Sequence, residues 1–405
     1  MPDAAASAPA PQPPAGFGAP INTASLITSL MSIKGGSDII FSPGRPPQIE
    51  INGDLRAVKV EGLPMLLPEH TNHIAMDLIG PNKRALDTLK EDGSCDVSYS
   101  IPQKSRFRVN IFRQRGTYAI VMRVIPSKVP SFEDLMLPPV LRDIPHLKSG
   151  IVLVTGPTGS GKSSTLAAII DLINTERAEH IVTIEDPIEF LHPHKKGTVH
   201  QRELHSDTPN FALALRAALR QAPKVILVGE MRDKDTIEIA MTAAETGHLV
   251  FSTLHTIDAA KTVERVIGVF PLSDQQPIRT RLAGSFRYFV AQRLVPRRDG
   301  KGRVAIVEIL KSTMRTREYI ERGEGEGHSL VDAMKDGEID GMQHFDGELE
   351  KYVRAGVVDL ETALNFASNR DNLKLGLSDF NQDSVAPAGP EVLRQPETPK
   401  LEIEP

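Results

Sequence analysis

The chain has 405 residues, 40% hydrophobic and 24% charged, with a formal net charge of −5 and one cysteine. This is an ordinary globular composition for two or three domains, and the acidic balance argues against bulk nucleic-acid binding. The lone Cys95 excludes an intramolecular disulfide or a cysteine-built zinc site and fits a reducing cytosol, and no run approaches the ~18 apolar residues of a membrane span.

Residues 1–20 mix Pro9, Pro11, Pro13, Pro14 and Pro20 with alanines, which predicts a disordered leader without the features of a secretion signal. The chain is therefore expected in the cytoplasm. A helix is predicted from Asn22 or Thr23 to the Gly35-Gly36 pair, with Leu26, Ile27, Leu30 and Met31 on one face. Asp38–Phe41 reads as a strand, and Gln48–Ile51 and Leu55–Val58 flank Asn52-Gly53-Asp54 as a hairpin. Residues 69–91 have helical spacing broken at Gly80-Pro81, and Cys95–Tyr99 reads as a strand with a small buried thiol. A second hairpin runs through Arg106–Phe112 and Tyr118–Ile125. Residues 21–125 thus form a small α+β module, and the proline-rich 126–149 reads as a linker.

From Ile151 the pattern changes to short apolar strands, Ile151–Thr155, Ile181–Ile184, Val225–Val228 and Leu249–Thr253, alternating with helical stretches such as 211–220 and 236–244. This is the mark of an α/β fold with a mainly parallel sheet, whose ligand collects at the strand ends. The core of this second domain spans 150–310. Residues 311–377 are predicted helical, and the proline-rich 378–405 a disordered tail.

After the first of these strands stands Gly156-Pro157-Thr158-Gly159-Ser160-Gly161-Lys162-Ser163, followed by Ser164 and a helical run. It fits G-x-x-x-x-G-K-[ST] between strand and helix, where backbone N–H groups and a helix N-terminus face phosphates. Lys162 is placed to reach the β- and γ-phosphates of ATP, and the Ser163 hydroxyl to ligate Mg²⁺. Three polar clusters follow, each at the end of an apolar run. Glu185, Asp186 and Glu189 gather three carboxylates within five residues, suited to orienting water or acting as its base. Val225–Val228 ends in Gly229-Glu230, a Walker B pattern that puts an acid beside the metal. His248 and His255 bracket a strand seven residues apart, so one strand length separates them and only one is expected to reach a given γ-phosphate.

Arginines complete the set. The second hairpin carries Arg106, Arg108, Arg113, Arg115 and Arg123, candidates for an arginine finger, whereas Arg293, Arg297, Arg298, Lys301 and Arg303 read as a solvated basic loop.

These stretches, with Thr183–Phe190 (TIEDPIEF), Leu227–Asp233 (LVGEMRD) and Thr246–Thr256 (TGHLVFSTLHT), resemble the Walker A, Asp box, Walker B and His box of the secretion-superfamily ATPases. Within them the chain is similar to the PilT/PilU-like retraction ATPases of type IV pili, over about residues 22–370. The resemblance implies an N-terminal PAS-like domain and a RecA-like P-loop ATPase domain with a helical C-terminal extension. It further implies a homo-hexamer binding ATP and Mg²⁺, Glu189 as the base for water, and Glu230 supporting Mg²⁺ and the attacking water. His248 and His255 would sense the phosphates, and Arg108 and Arg123, fifteen residues apart on the hairpin, would be brought to the nucleotide. Implied partners are an inner-membrane pilus platform protein and a paralogous retraction ATPase, with the chain peripheral at that membrane.

The single cysteine and the start at the PAS-like module favour retraction over the pilus-assembly and type II secretion ATPases, which carry extra domains and a tetracysteine site. The family's AIRNLIRE motif is poorly matched by Met314–Glu321, which leaves a principal and an accessory role both open. A RecA-like nucleic-acid translocase is the distant alternative, disfavoured by the net charge. No N-K-x-D motif supports a GTP switch.

Overall fold

The side chain of Asn22 accepts the Ser25 N–H and opens α1 (Thr23–Met31), the first element of the computed structural model. The structure describes residues 21–51, 53–102, 104–126, 128–325, 327–382 and 385–393. The expected leader, Asn52 of the first hairpin turn and residues 394–405 of the expected tail lie outside the described residues. The chain divides into two compact units with the boundary at Ser127/Lys128.

In the first unit α1 is followed by β1 (Gly36–Phe41), β2 (Gln48–Ile51) and β3 (Asp54–Ala57). Then come α2 (Pro68–Ile79) and α3 (Lys83–Glu91), parted at Gly80-Pro81, and finally β4 (Ser94–Ile101), β5 (Ser105–Gln114) and β6 (Thr117–Ile125). The strands form one antiparallel sheet in the order β3-β2-β1-β6-β5-β4. Period-two alternation points Phe107, Val109 and Ile111 of β5 inward, against Leu26, Ile27 and Leu30 of α1 and Ile74 and Leu78 of α2. Cys95 lies in the same core, and burial pushes its thiol up to about 11, an inert group.

The second unit begins earlier than the proline content suggests. A short α4 (Phe132–Leu135), with Ser131 and Asp134 as a capping box, leads into a 3-10 stretch, Pro139–His146. Phe132, Leu137, Leu141 and Ile144 are buried in the same core as Leu166, Ile169 and Ile173. Most of the expected linker is therefore part of the second unit. Its prolines shape a packed strap.

β7 (Gly150–Thr155), α5 (Lys162–Glu176), β8 (His180–Glu185), β9 (Thr198–Glu203), α6 (Phe211–Ala218), β10 (Val225–Val228), α7 (Lys234–Glu245) and β11 (Leu249–Leu254) follow. Next are α8 (Ala259–Gly268), α9 (Leu272–Ser285), β12 (Phe286–Pro296) and β13 (Arg303–Lys311). The seven strands run β13-β12-β7-β11-β10-β8-β9, parallel except for the β12–β13 hairpin. β7, β10 and β11 are buried along their whole length, as a parallel sheet covered on both faces requires. Alternate residues serve opposite cores: Ile151 and Leu153 one, Val152 and Val154 the other.

Residues 311–377 hold α10 (Met314–Arg322), α11 (Leu330–Asp336), α12 (Phe345–Arg354), α13 (Leu360–Phe366) and α14 (Arg370–Gly376). Phe345, Leu349 and Val353 pack on Val295, Val304 and Ile306 of the hairpin. The described part of the expected disordered tail is ordered. Arg298 donates to the Val385 carbonyl (2.7 Å), Gln382 accepts the Leu360 N–H (2.6 Å), and Phe380 and Leu393 join that core. Nor is the basic loop mostly solvated: Arg293 lies over the Phe345 ring and Arg297 pairs with Asp299.

Candidate active site

β7 runs out at the centre of the sheet, and its last residue, Thr155, pairs with Leu254 at the end of β11. The glycine loop therefore sits at the C-terminal edge of the parallel strands, where α5 starts. The loop is tightly built. At Gly156 φ is +142° and a Cβ would lie 2.4 Å from the Gln292 carbonyl oxygen, and at Gly161 φ is +90° and a Cβ would lie 2.9 Å from the Gln292 side-chain nitrogen. Only glycine fits either position. Lys162 is buried, its Nζ donating to the carbonyls of Gly156 (2.9 Å) and Pro157 (3.1 Å). Burial lowers its pKa, while the nearby Glu230 and Glu189 carboxylates oppose that shift.

Gln292, on β12, holds this loop, and no motif points to it. It is 3% exposed, donates from Nε2 to the Ser160 carbonyl (2.9 Å) and accepts from the Thr165 hydroxyl (2.9 Å). One amide thus ties the loop to the first turn of α5. Its signal in the sequence is a lone amide inside the apolar run Phe286–Val295.

Beside the loop opens a cleft of about 580 Å³. Ser163, Ser164, Asp186, Glu189, Glu230 and His255 all line it, together with Thr158, Gly159, Gly161 and Lys162. The three acids at the end of β8 and just beyond it have different fates. Glu185 accepts from the Thr183 hydroxyl (2.6 Å) and Gln201 Nε2 (3.1 Å), and burial draws its pKa upward. Glu185 is thus held by the frame of the cleft, while Asp186 and Glu189 are exposed. Glu230 follows β10 through Gly229, which is fixed by its N–H to the Ile184 carbonyl (2.7 Å) and by the Thr253 hydroxyl (2.6 Å). The Glu230 carboxylate pairs with Arg232 (2.6 Å) and lies 3.5 Å from His255 Nε2. Arg232, which lies in the Walker B stretch but has no role assigned from it, brings a cation to the cleft wall, and its pKa is raised by the hydrogen bond to Glu230.

His248 is not brought to this cleft. It precedes β11, at the opposite edge of the sheet from the phosphate loop, and its Nδ1 is engaged with the Ala243 carbonyl (2.9 Å). The period of a strand explains this: six residues of β11 carry the chain ~20 Å from one histidine to the other.

In the first unit, Arg108 and Arg123 stand directly opposite each other on β5 and β6, both exposed. The Arg123 Nε donates to Asp38 (2.9 Å), the buried residue opposite it on β1, whereas Arg108 has no ion pair among the described residues.

The loop geometry fits a nucleotide: glycines that cannot be replaced, a buried lysine turned over the loop and a helix starting at Lys162 form a cradle for phosphates. Among the described residues no group of three or more His, Cys, Asp or Glu is arranged to hold a metal ion, and no helix is long and apolar enough to cross a membrane.

Known proteins match over most of the chain. The model of the type II/IV secretion system protein family matches residues 87–363. The type IV pilus retraction ATPase PilT of Pseudomonas aeruginosa is 43% identical over 349 residues, 85% of this chain and 99% of that one. The type IV pilus ATPase PilU of the same organism is 39% identical over 346 residues, 85% of this chain and 89% of that one. The crystal structure of the pilus retraction motor PilT with bound ADP superposes with a TM-score of 0.78 at 40% identity, covering 87% of this chain and 98% of the other.

Proposed function

The chain belongs to the type II/IV secretion system protein family, and we propose that it is the ATP-hydrolysing motor that powers retraction of type IV pili. One observation supports the hydrolytic part above others: a single cleft gathers Lys162, Ser163, Glu189, Glu230 and His255 around a phosphate loop that admits only glycine at two positions. The direction of work, retraction rather than assembly, follows the relative that this chain matches over 99% of its length.

Bound Mg·ATP supplies the phosphoanhydride bond and the cation that neutralises its oxygens. Lys162 and the loop N–H groups of 158–164 hold the phosphates. The Ser163 hydroxyl would hold Mg²⁺, a cation that needs few protein oxygens because it keeps waters and phosphates. Glu189 is exposed on the cleft wall and takes the proton of the attacking water on a carboxylate oxygen. Glu230, held between Arg232 and His255, orients that water and supports the metal's shell.

Of the two hairpin arginines Arg108 is the one offered to the phosphates, and Arg123 serves the sheet through Asp38. The protein works as a homo-hexamer in the cytoplasm, peripheral at the inner membrane through a pilus platform protein. A principal or an accessory role beside a paralogous retraction ATPase is compatible with the two relatives' similar identities.

The test has two parts. Glu189→Gln keeps ATP binding and slows hydrolysis by ~10³-fold or more, as loss of a general base does; an unchanged rate refutes the site. A strain lacking the gene is hyperpiliated and does not twitch, whereas a bald strain refutes retraction.

A further inference from the structure

Outside the cleft, one buried acid joins elements that the proposed chemistry leaves unconnected. Glu308, on β13, is 3% exposed. Its Oε1 accepts the N–H of Ala259 at 2.8 Å, the first amide of α8. The first amide of α12, at Phe345, faces the same carboxyl group and favours its charged form. One carboxyl group is thus bonded to the N-terminus of α8 and faced by that of α12. α8 is joined to β11 by the loop that carries His255, and α12 belongs to the C-terminal helices.

Arg293, across the hairpin on β12, repeats the connection. Its guanidinium lies 3.8 Å from the Phe345 ring centre and donates to the carbonyls of Ile257 (3.4 Å) and Phe366 (2.5 Å) and to the Ser368 hydroxyl (3.0 Å). Asp346 extends the tie by accepting the N–H groups of Ser368 and Asn369. Arg293 thus reaches the loop at Ile257 and Glu308 the first amide of α8 just beyond it, and both stand against the start of α12.

We propose that Glu308 is a positioning residue for hydrolysis, which fixes the His255 loop against the C-terminal helices so that a change at one is felt at the other. The argument rests on the reading of His255 as part of the hydrolytic site. A leucine or methionine would fill the same volume without desolvating a carboxyl. Burial pushes this carboxyl up to about 7, with Asp258 adding to the shift and Arg293 and the two amides opposing it. What the acid offers in exchange is an acceptor that two helix termini can share, which an apolar residue cannot supply.

The test compares full-length protein with Glu308→Ala and Glu308→Gln by hydrogen exchange and steady-state kinetics. In the parent, Mg·AMP-PNP slows exchange at the 255–262 loop and at the start of α12 together. In the alanine variant the first response persists and the second disappears, and kcat falls about tenfold with KM for ATP nearly unchanged. Glutamine keeps an acceptor oxygen and restores both readouts to within about threefold. The proposal is overturned if the α12 response survives in the alanine variant, if kcat is unchanged, or if glutamine behaves as alanine does. His255→Ala separates the two ideas. Unchanged hydrolysis there removes His255 from the site, while the exchange response still decides whether Glu308 couples the two segments.

Discussion

Gln292 offers the sharpest quantitative check on how the phosphate loop is held. Replacing it with methionine keeps most of the volume but removes the hydrogen bonds to the Ser160 carbonyl and the Thr165 hydroxyl. Each bond contributes about 1 kcal/mol net, and a buried acceptor left unpaired adds about 1–3 kcal/mol. Thr165 can turn its hydroxyl to a helix carbonyl within its own turn, so the loss concentrates on Ser160. The expected destabilisation of the second unit is about 2–4 kcal/mol, a fall in Tm of roughly 5–10 °C for a domain of this size. Gln292→Ala costs about 1 kcal/mol more through the cavity it leaves. Gln292→Glu is worse again, because it sets a carboxylate against the Ser160 carbonyl. Affinity for ADP, read by fluorescence with a labelled analogue, weakens about tenfold, since binding must then order a looser loop. Should the methionine variant melt and bind ADP as the parent does, the loop is held by its own backbone and the argument from Gln292 is wrong.

Other outcomes follow from the same geometry. His192 lines the cleft, its Nδ1 is buried without a partner, and burial lowers its pKa to about 4. The native state holds it neutral while the unfolded chain takes up a proton below about 6.5, so stability present at neutral pH is lost as pH falls toward 4, by about 3 kcal/mol. Urea titrations at pH 7 and 5 should show about 2 kcal/mol of this loss, and His192→Gln should remove that part of it. In the first unit, Arg123→Ala leaves the Asp38 carboxylate, 8% exposed, without its partner and costs about 1 kcal/mol, discounted because the arginine is mostly solvated. Arg108→Ala stays within about 0.5 kcal/mol, since it also relieves a like-charge pair directly across the strands. If Arg108→Ala nevertheless lowers the hydrolysis rate in the assembled protein while Arg123→Ala mainly lowers Tm, the division of labour between them stands; the reverse pattern refutes it. Gly156→Ala, with its Cβ meeting a backbone oxygen at 2.4 Å, should abolish nucleotide binding in any protein that still folds.

Much of the site was legible because its chemistry is carried by strand ends. An apolar run that stops at Thr155, Glu185, Val228 or Leu254 announces both the strand and the polar residue beyond it, and parallel strands bring those ends to one edge. What motif reading lacked is whatever reaches the site sideways. Gln292 and Glu308 come from a hairpin whose long apolar runs carry no turn or helix period, and β9, Thr198–Glu203, is a polar edge strand. His248 shares a motif with His255 and is nevertheless parted from it by the length of β11. Proline content is a poor guide to disorder here. In 128–149, 378–382 and 385–393 it accompanies short turns and helical pieces, and Phe132, Leu141 and Ile144, and later Phe380 and Leu393, give that backbone something to bury.

The strap formed by residues 132–146 also decides where this molecule can be cut. A chain started at Ser149, just ahead of the first strand of the nucleotide domain, would lose Phe132, Leu137, Leu141 and Ile144 from beneath α5 and leave Leu166, Ile169 and Ile173 facing water. It would be expected to aggregate, and its failure would wrongly suggest that the nucleotide domain depends on the first. A chain started at Lys128 keeps those side chains and with them a whole core. Shuffling of first domains among relatives, in the laboratory or in evolution, should therefore place its seams close to residue 127, ahead of the strap.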